Sequence, residues 1–367
     1  MKVRSRVQPE EQDDEVGATI HDVAREAGVS IATVSRVING NSPVRAATRE
    51  RVSQALAKLQ YIPHGGARSL VNRQTRTIGV LLPDMFGEFF SEVIRGVDQV
   101  ARQRQYSLLV TSTHGDSQSA EAMLRTLHGK VDGLVVLSSD LEMQDAARNL
   151  LRRTPVVFLN HVQGAGAERF DSISVDNHGG ALAMTRFLMG FGHRRIAFVK
   201  GPEGNGDAAE RLQGYREAMA GLAGAAPAGL ELPGDFSEAG GYAAGRRALR
   251  MEPRPTAIFT ANDTMAIGVY RALRERGIRI PADMSVAGFD DVPFVRYLDP
   301  PLTSIHAPIS ELGSGAARRL LDRIESEQAL TAEQQTMDVL LVARASTGQP
   351  GSQEWTDPED PAPRAPP

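Results

Sequence analysis

The 367-residue chain contains no cysteine. Disulfide bonds are therefore excluded, as is every metal site that needs a thiolate ligand. No run of about 18 consecutive apolar residues occurs, so we expect no membrane-spanning helix. The first residues, MKVRSRVQPEEQDDE, are basic but have no apolar stretch behind them, so we expect no secretory signal and a cytoplasmic location.

The net charge of −4 is divided unevenly along the chain. Residues 19–76 hold nine lysines and arginines against three acidic residues, a balance of +6, so the rest of the chain carries −10. A small basic segment on an acidic body is typical of a polyanion-binding module attached to another functional unit. A solvated run of surface charge is the alternative explanation of this segment.

Both ends of the sequence have compositions that do not favour a folded domain. Residues 1–18 are polar and acidic, and residues 347–367 include the acidic, proline-rich stretch PGSQEWTDPEDPAPRAPP. Such segments bury too little apolar surface to order a chain. We therefore predict a disordered tail at each end.

Residues 19–62 have the period of amphipathic helices. The apolar residues of IHDVAREA recur at the i, i+3, i+4, i+7 spacing of one helix face. Thr19 and Asp22 predict a capping box at the start of this helix. Gly28 suits a positive-φ stop, and Ser30 is placed to cap a second helix.

A second and a third helix complete this module. The apolar side of the second helix is formed by Val34, Val37 and Ile38. The apolar side of the third helix is formed by Val52, Ala55, Leu56 and Leu59. A helix, a glycine-containing turn, a short helix and a third helix make up the helix-turn-helix pattern.

The helix-turn-helix pattern predicts which residues contact DNA, because its second helix meets base edges with its N-terminal residues. Slim residues there permit close approach. Ile31 and Ala32 can contact thymine methyl groups, and Arg36 can donate to guanine or to phosphate. Side chains placed to donate to phosphates are Thr33, Ser35, Asn39, Thr48 and Arg49. A three-helix module that docks on protein is the alternative that the bare pattern leaves open.

Residues 77–346 alternate apolar runs with amphipathic helices. The runs TIGVLLP, YSLLVTS, GLVVLS, TPVVFLN and SISVD are predicted strands, and a second series follows with RRIAFVKG, TAIFTAND and MSVAGFDD. Helices are predicted near 88–104, 178–190, 208–220 and 237–250. This alternation indicates parallel sheets covered on both faces, and two series indicate two similar, doubly wound α/β subdomains.

Specific motifs lie along both parts of the chain. The head carries TIHDVAREAGVSIATVSRVING and VRAATRERVSQALAKLQYIPHGGARSL, and the body carries SVDN, GHRRIAFVKGP, FTANDTMAIGVYRAL and SVAGFDD. Over about residues 19–346 the sequence resembles the lactose/galactose repressor (LacI/GalR) family of bacterial transcription regulators. The resemblance implies an all-α helix-turn-helix head and an α/β body of periplasmic-binding-protein type. Arg45 departs from it, since the family usually has Ser or Thr at this N-cap of the third helix.

Residues 63–76 are predicted to form a hinge and linker. By resemblance, the residues matching Ala67, Arg68, Ser69 and Leu70 form a short helix on operator DNA, and the leucine wedges between base pairs in the minor groove. So short a helix is not stable alone in water, which agrees with folding only on DNA. A linker whose leucine packs on the body is the alternative.

The candidate ligand site is a cleft at the carboxyl ends of the parallel strands. Residues at or just beyond predicted strand ends are Asp84, Phe89, Phe90, Asn160, His161, Asp176, Asp207, Arg211, Phe236, Asn262 and Asp290. The resemblance implies polar effector contacts for Asp176, Arg211, Asn262 and Asp290, and an aromatic lining for Phe236. Carboxylates and arginine bind adjacent hydroxyls and a ring stacks on an apolar sugar face, which favours a sugar. A helix cap or a surface charge is the alternative for any single residue, for example Asn262.

Two other ligand-binding functions remain as alternatives. One is a purine- or nucleoside-responsive regulator that needs its ligand as a corepressor. Purine-binding members resemble this chain at Phe89 and Arg211, but the position of their additional arginine is Asn205 here. The other is a solute-binding protein without a regulatory role, which the basic head and the missing export signal disfavour.

The motifs of common enzyme classes are missing. GPEGNGDA follows a predicted strand, but a P-loop needs Lys and Ser or Thr where Asp207 and Ala208 stand. There is no G-x-S-x-G elbow, and the eight histidines lack metal-ligand spacing. Asp290 and Asp291 are chain neighbours whose side chains should point apart, so we do not expect a shared proton. We predict no catalytic residue, cofactor or metal.

The combined prediction is a homodimeric, nucleoid-associated repressor. Its head binds palindromic double-stranded operator DNA, and a sugar effector binds in the cleft of the body. The N-subdomain should span about 77–176 and 308–336, and the C-subdomain about 177–307 and 337–346. Since no leucine heptads follow residue 346, we expect no tetramer formed through such a tail.

Overall fold

The computed structural model describes residues 18–39, 44–61, 74–85, 87–113, 117–137, 154–159, 170–221, 230–326, 328 and 330–351. The chain divides into two compact units, one ending at Thr75 and the other beginning at Arg76. Most of both predicted tails and of the predicted linker lies outside the described residues. In the described part, no helix is both long and apolar enough to cross a membrane.

The first unit is a three-helix head built around one small core. Its helices are Ile20–Ala27 (α1), Ile31–Asn39 (α2) and Ala46–Lys58 (α3). One valine from each helix is fully buried, namely Val23, Val34 and Val52. The other apolar residues predicted for the three inner faces pack around these valines. The helical periods seen in the sequence are therefore confirmed, and a helix-turn-helix fold results.

Local capping chemistry sets the ends of α1 and the start of α2. The Thr19 backbone N–H donates to Asp22 Oδ2 over 3.0 Å, and the Asp22 N–H donates to Thr19 Oγ1 over 3.4 Å, which completes the predicted capping box. Gly28 ends α1 with a φ of 61°, where a side chain would be strained. Ser30 Oγ then accepts from the Thr33 N–H over 3.3 Å. All three predictions are confirmed.

The third helix begins without a side-chain cap. Arg45 occupies its N-cap, and its side chain makes no capping hydrogen bond. Arginine carries donors only, so it cannot accept from the free N–H groups of a first helical turn. The departure noted in the sequence therefore leaves α3 with a weaker start than Ser or Thr would give.

The second unit contains the parallel sheets that the sequence predicts. Its strands are Thr77–Leu82 (β1), Ser107–Ser112 (β2), Gly133–Val136 (β3), Val156–Phe158 (β4), Asp171–Val175 (β5), Ile196–Val199 (β6), Glu231–Leu232 (β7), Ala257–Thr260 (β8), Ser285–Asp290 (β9), Thr303–His306 (β10), Gln334–Met337 (β11) and Leu340–Val342 (β12). Its helices are Glu88–Gln103 (α4), Ser117–Leu127 (α5), Asn177–Gly190 (α6), Gly206–Ala220 (α7), Glu238–Leu249 (α8), Asp263–Arg274 (α9) and Ile309–Glu325 (α10), with a 3₁₀ helix at Pro293–Tyr297. All eight predicted strands and all four predicted helices are present. The strands that the sequence analysis missed, β7, β10, β11 and β12, are short.

The strands form two six-stranded sheets with the same order. One sheet runs β2-β1-β3-β4-β5-β11 and the other β7-β6-β8-β9-β10-β12. Every paired neighbour is parallel except β12, which lies antiparallel to β10 at the edge of the second sheet. The predicted fold class is confirmed, with this one edge strand as the difference. We call the two halves lobe 1, which contains β1, and lobe 2, which contains β6.

The strands are continuous apolar runs because successive side chains point into two different cores, one on each face of the sheet. In β1, Ile78, Val80 and Leu82 enter one core cluster, whereas Leu81 enters the cluster on the opposite face. In β3, Val135 and its neighbour Leu134 divide in the same way. Both faces of the sheet are covered, so successive side chains are all apolar.

The chain passes between the lobes three times. It leaves β5 of lobe 1 at Asp176 to start α6 in lobe 2, and it leaves β10 to start α10, which packs against α4 of lobe 1. The short segment between β11 and β12 makes the third passage. These crossings join the two lobes into one unit and leave the carboxyl ends of their strands near the junction.

Residues 347–351, which the sequence analysis assigned to the disordered tail, lie against lobe 2 instead. Gly348 O is 2.9 Å from Nε2 of the fully buried His193, and the Gly348 N–H donates to Ser285 Oγ over 3.1 Å. Thr347 Oγ1 lies 2.9 Å from Thr303 Oγ1. Backbone and hydroxyl groups make these contacts, so no hydrophobic period reveals them in the sequence.

Replacement of the N-cap arginine should stabilise the head. We expect Arg45→Ser to protect the amides of α3 from hydrogen exchange by about 1 kcal/mol more than in the wild type, because serine accepts from a free N–H. Arg49→Ser is the matched control, since it removes the same charge from the same helix without creating a cap. Equal effects of the two changes would show that charge, and not capping, sets the stability of α3.

Candidate functional site

The residues predicted to contact bases share one solvent-facing surface of α2. Ile31 is 40% exposed, and Ala32 and Arg36 are exposed as well. Val34, on the inner face of the same helix, is fully buried. The head core therefore takes up one side of α2, and its other side is open to a partner surface.

A depression beside this surface collects basic and hydroxyl groups. It is lined by Val29, Ser30, Thr33, Arg36, Val44, Arg45, Thr48 and Arg51. Guanidinium and hydroxyl groups of this kind bind phosphate oxygens. Arg51 was not singled out in the sequence analysis, because only the folded head brings the second turn of α3 beside α2.

Of the other predicted DNA contacts, some lie in the described part of the structure and some outside it. Ser35 is described and partly buried, and Arg49 is described and exposed. Asn39 ends α2, but its side chain lies outside the described part of the structure, as do the predicted hinge residues Ala67, Arg68, Ser69 and Leu70.

The cleft residues lie where the strand order of each sheet switches direction. Strands are added on both sides of β1 in lobe 1 and on both sides of β6 in lobe 2. Ligands of doubly wound sheets bind outside the carboxyl ends of the strands at such points. Asp84 follows β1, α7 with Arg211 follows β6, and Asp290 ends β9. The fold thus places Asp84 after β1 of lobe 1, and it places Arg211 beyond β6 and Asp290 at the end of β9 in lobe 2, with β8 between these two strands.

The centre of the site is a buried ion pair. Arg211 Nη1 lies 3.1 Å from Asp290 Oδ1, and the two side chains are 5% and 6% exposed. Nη1 also donates to the backbone oxygen of Ala261 over 2.6 Å, and the guanidinium lies 3.8 Å above the ring of Phe289. Among the described residues, Asp290 Oδ1 finds no hydrogen-bond donor of good geometry despite the short distance. Asp291 Oδ1, 2.6 Å from Arg344 Nη2, is in the same situation: it has an ion-pair partner but no well-aligned donor among the described residues.

An asparagine that was not predicted connects this pair to Asp207. Asn177 Oδ1 accepts from Arg211 Nε over 2.8 Å, and Asn177 Nδ2 donates to Asp207 Oδ1 over 3.1 Å. In the sequence, Asn177 is the last residue of the motif SVDN. It follows a strand directly, and that position was the signal that could have found it.

The backbone that carries Asp290 adopts an unusual conformation. Asp290 and Asp291 have φ angles of 108° and 55°, in a region that side chains disfavour. Asp263 Oδ2 accepts from the Val292 N–H over 3.0 Å, and Asp263 Oδ1 accepts from Ser304 Oγ over 2.6 Å. These buried bonds hold the turn in place from behind. Such strain, fixed by its surroundings, is typical of binding sites.

Burial shifts the pKa values of both carboxyl groups. It raises the pKa of Asp290 from 3.8 to about 6, although the Arg211 guanidinium opposes the shift. Burial also raises the pKa of Asp263 well above its usual range, and the nearby charge of Asp290 adds to this, against the hydrogen bonds from Ser304 and Val292. Loss of a proton is therefore costly in this part of lobe 2.

Asp291 has partners of its own. Its carboxylate lies 2.6 Å from Arg344 Nη2 and 3.2 Å from His306 Nδ1. Asp290 instead pairs with Arg211. The two neighbouring carboxylates thus point to different partners, as expected from the sequence.

Phe236 and Asn262 form a second group of predicted residues in lobe 2. Asn262 Nδ2 donates to the Phe236 backbone oxygen over 3.1 Å, while its Oδ1 caps α9 by accepting from the Met265 N–H. A methyl group at Gly201 would lie 2.6 Å from the Phe236 ring, so the missing side chain there makes room for the ring. The capping role suggested for Asn262 is confirmed, and its amide also holds Phe236.

The remaining predicted residues lie around this centre. Asp176 caps α6 by accepting from the Gly179 N–H over 2.8 Å. In lobe 1, Asp84 is exposed, and the partly buried rings of Phe89 and Phe90 meet edge to face at 5.5 Å. Asn160 and His161 lie outside the described residues.

One hydrogen bond joins the lobes beside these residues. Glu88 Oε2, at the start of α4 in lobe 1, accepts from the Phe294 N–H over 2.9 Å. Phe294 belongs to the 3₁₀ helix that follows Asp290 and Asp291 in lobe 2. The segment that follows the turn at Asp290 and Asp291 is thus connected directly to lobe 1.

Comparison with protein families identifies two matching segments. Residues 19–64 match the model described as bacterial regulatory proteins of the lacI family. Residues 185–347 match a periplasmic binding protein-like domain.

Curated proteins of known function resemble nearly the whole chain. This chain is 40% identical to the ribose operon repressor of Escherichia coli K12 over 332 residues. The alignment covers 90% of this chain and 99% of that protein. The chain is 38% identical over 317 residues to the transcriptional repressor PurR of Vibrio cholerae, with 85% and 93% covered.

Solved structures give the same result. The lac repressor dimer bound to operator and the anti-inducer ONPF is 31% identical, with a TM-score of 0.77 and 90% and 99% of the two chains covered. A LacI family regulator from Enterococcus faecium with bound ribose is 30% identical, with a TM-score of 0.68 and 75% and 100% covered.

The raised pKa of Asp290 predicts a pH dependence of stability. A carboxyl group whose folded pKa exceeds its unfolded value contributes stability below about pH 4, and this contribution is lost as the pH rises through about 6. We expect the free energy of unfolding of the wild type, minus that of Asp290→Asn, to fall by about 2 kcal/mol between pH 4 and pH 7. Chemical denaturation of both proteins across this range measures it. A constant or rising difference would show that Asp290 ionises freely in the fold.

Proposed function

The chain belongs to the LacI family of bacterial regulatory proteins, and from this we propose how its two units carry out repression. It is a sequence-specific DNA-binding transcriptional repressor under the control of a small-molecule effector, and it is not an enzyme. The head binds the operator and the body binds the effector. As a DNA-bound regulator, it acts in the cytoplasm at the nucleoid.

The DNA-binding part of the proposal assigns roles on α2 and α3. Ile31, Ala32 and Arg36 contact bases, because they form the open side of α2. Thr33, Ser35, Asn39, Thr48 and Arg49 contact phosphates, and Arg45 and Arg51 add positive charge in the depression. One head reads only half a site, so a homodimer binds a palindromic operator. Residues 67–70 serve as the minor-groove hinge.

The effector part of the proposal rests on the buried acceptor of Asp290. A hydroxyl donor from the ligand would satisfy Oδ1, which lies in a protein interior without a well-aligned donor. The Arg211 guanidinium beside it binds an adjacent hydroxyl, and the Phe236 ring covers an apolar face of the ligand. Asp84, Phe89, Phe90, Asn160, His161, Asp176, Asp207 and Asn262 complete the proposed lining. Paired hydroxyls next to an apolar face are the chemistry of a sugar.

Ribose is the first sugar to test, and a purine is the second ligand class. A ribose operon repressor and a regulator with bound ribose are both similar over most or all of their length. The PurR relatives are almost as similar in sequence. However, Asn205 uses its side chain to cap α7 by accepting from the Ala208 N–H over 2.8 Å, and it provides no cation for a purine edge.

The two sites are coupled through movement of the lobes. A ligand that draws Arg211 and Asp290 toward lobe 1 favours a closed cleft, in which the Glu88 bond to the 3₁₀ helix also forms. A change of closure alters the distance between the two heads of the dimer and thereby biases formation of the hinge helices. The element with two states is therefore the pair of hinge helices in the dimer, which is either formed or unfolded.

Arg36 should set sequence specificity. We expect Arg36→Ala to weaken operator binding by about 1–3 kcal/mol and to leave binding to scrambled DNA nearly unchanged, because a base contact is lost. Fluorescence anisotropy on an operator selected from a palindromic library measures both affinities at one salt concentration. Arg49→Ala is the control, which should weaken both and lower the salt slope by about 0.9. If Arg36→Ala lowers the affinity for operator and for scrambled DNA equally, this arginine contacts phosphate and not a base.

Arg211 should be needed for the effector but not for DNA. Arg211→Ala removes charge-assisted hydrogen bonds to the ligand, which costs about 1.5–3 kcal/mol of effector affinity. We expect operator titrations without ligand to match the wild type and the response to ribose to disappear; Asp290→Ala should behave alike. Arg216→Ala is the matched control, because Arg216 lies on the same helix but pairs at the surface with Glu231 over 2.7 Å.

Three outcomes of this titration separate the hypotheses. A wild-type protein that responds to a nucleobase and not to ribose would favour the purine class. An Arg211→Ala variant that still responds at the ribose concentrations that act on the wild type would show that the effector binds elsewhere. A wild-type protein that binds the operator only when ligand is present would indicate an effector that acts as a corepressor.

A further inference from the structure

We propose that Asn177 is the positioning residue of the effector site and that its amide ties the Arg211 guanidinium to the first crossing between the lobes. The proposal rests on the function proposed above for Arg211. Asn177 itself is not proposed to touch the ligand. It acts through Arg211, which it orients.

The hydrogen bonds of Asn177 fix the orientation of its amide. Its Oδ1 accepts from Arg211 Nε over 2.8 Å, and its Nδ2 donates to Asp207 over 3.1 Å and to Glu210 over 3.5 Å. A flipped amide would set an NH₂ group against the guanidinium and an oxygen against two carboxylates. The charges on both sides therefore select one orientation, and Asn177 is only 1% exposed.

These contacts divide the donors of Arg211 between structure and ligand. Nε is held by Asn177 and Nη1 by Ala261, while the guanidinium plane lies on the Phe289 ring. Within the described residues, Nη2 makes no hydrogen bond, which leaves its two N–H groups for a ligand. A guanidinium held at Nε and Nη1 is preorganised, so less side-chain entropy is lost on binding.

The location of Asn177 connects this arrangement to lobe movement. It is the first residue of α6, directly after the crossing at Asp176. Helices α6 and α7 approach closely, since a methyl group at Gly214 would lie 2.2 Å from the His178 backbone oxygen. This close packing lets a short asparagine side chain reach Arg211 on α7. A shift of the crossing would therefore move the guanidinium directly.

A helix-capping role does not explain these contacts. The cap of α6 is Asp176, whose side chain accepts from the Gly179 N–H. The amide of Asn177 instead spans two helices and meets one cation and two anions. Removal of the Asn177 amide would leave the buried Arg211 Nε without an acceptor. The guanidinium would then lose its fixed orientation but keep its charge.

A double-mutant cycle tests whether Asn177 acts through Arg211. Calorimetric titration with ribose would compare Asn177→Ala in the wild type and in Arg211→Lys, which keeps the charge but lacks the Nε donor. We expect about a tenfold loss of ribose affinity in the wild-type background and less than about a twofold loss in Arg211→Lys. A loss of equal size in both backgrounds would overturn the proposal. Thr185→Ala is the matched control, a buried polar residue on α6 that bonds only within its helix.

A measurement without ligand keeps the test independent of the effector. In protein labelled with ¹⁵N-arginine, the Nε–H resonance of Arg211 is identified by its loss in Arg211→Lys. We expect its exchange with water to become at least tenfold faster in Asn177→Ala and to remain unchanged in Thr185→Ala. Unchanged exchange in Asn177→Ala would overturn the proposal. A wild-type protein that fails to bind ribose would contradict the choice of ribose alone, because the exchange result stands without it.

Discussion

The buried pair of Arg211 and Asp290 is the interaction on which the candidate site of lobe 2 depends. Two charges removed from water are costly, and their attraction offsets this only when the remaining donors and acceptors are satisfied. The structure supplies Asn177, Ala261 and the Phe289 ring to the guanidinium but no well-aligned donor to Asp290 Oδ1. The arrangement is thus incomplete in a specific way. In the proposed function a ligand hydroxyl completes it, which would link effector binding to the energetics of the fold.

The rest of lobe 2 serves to keep this pair in place. Asp263 and Ser304 hold the strained turn that presents Asp290, and a side chain at Gly288 would lie 2.1 Å from Asp263 Oδ1. Asn177 and the close approach of α6 and α7 hold Arg211. The Glu88 bond to Phe294 joins this assembly to lobe 1. In the proposed function, the Glu88 bond is the contact through which ligand binding in lobe 2 would be connected to the position of lobe 1.

The head is stabilised by other interactions than those around the buried ion pair. Its helices depend on local caps and on three buried valines, and its DNA-facing side is left open. Arg45 exchanges a helix cap for positive charge in the depression beside α2. Stability of α3 is lowered by this exchange, while attraction to a polyanion is increased. A module that folds around a small core and binds DNA by charge tolerates such an exchange.

The local features of this protein follow from short stretches of its sequence. Helix periods, the Thr19 capping box, the Gly28 stop and the apolar strand runs are short-range patterns, and they predicted the head, eight strands and the two-series body. The sequence also named Arg211 and Asp290, through strand-end positions and family resemblance. Other contacts become visible only in the folded chain: the amide of Asn177 on Arg211, Asp263 behind the turn at Asp290 and Asp291, Arg51 beside α2, and residues 347–351 against lobe 2. These contacts join residues far apart in the chain through single polar atoms, and a periodic pattern carries no trace of them.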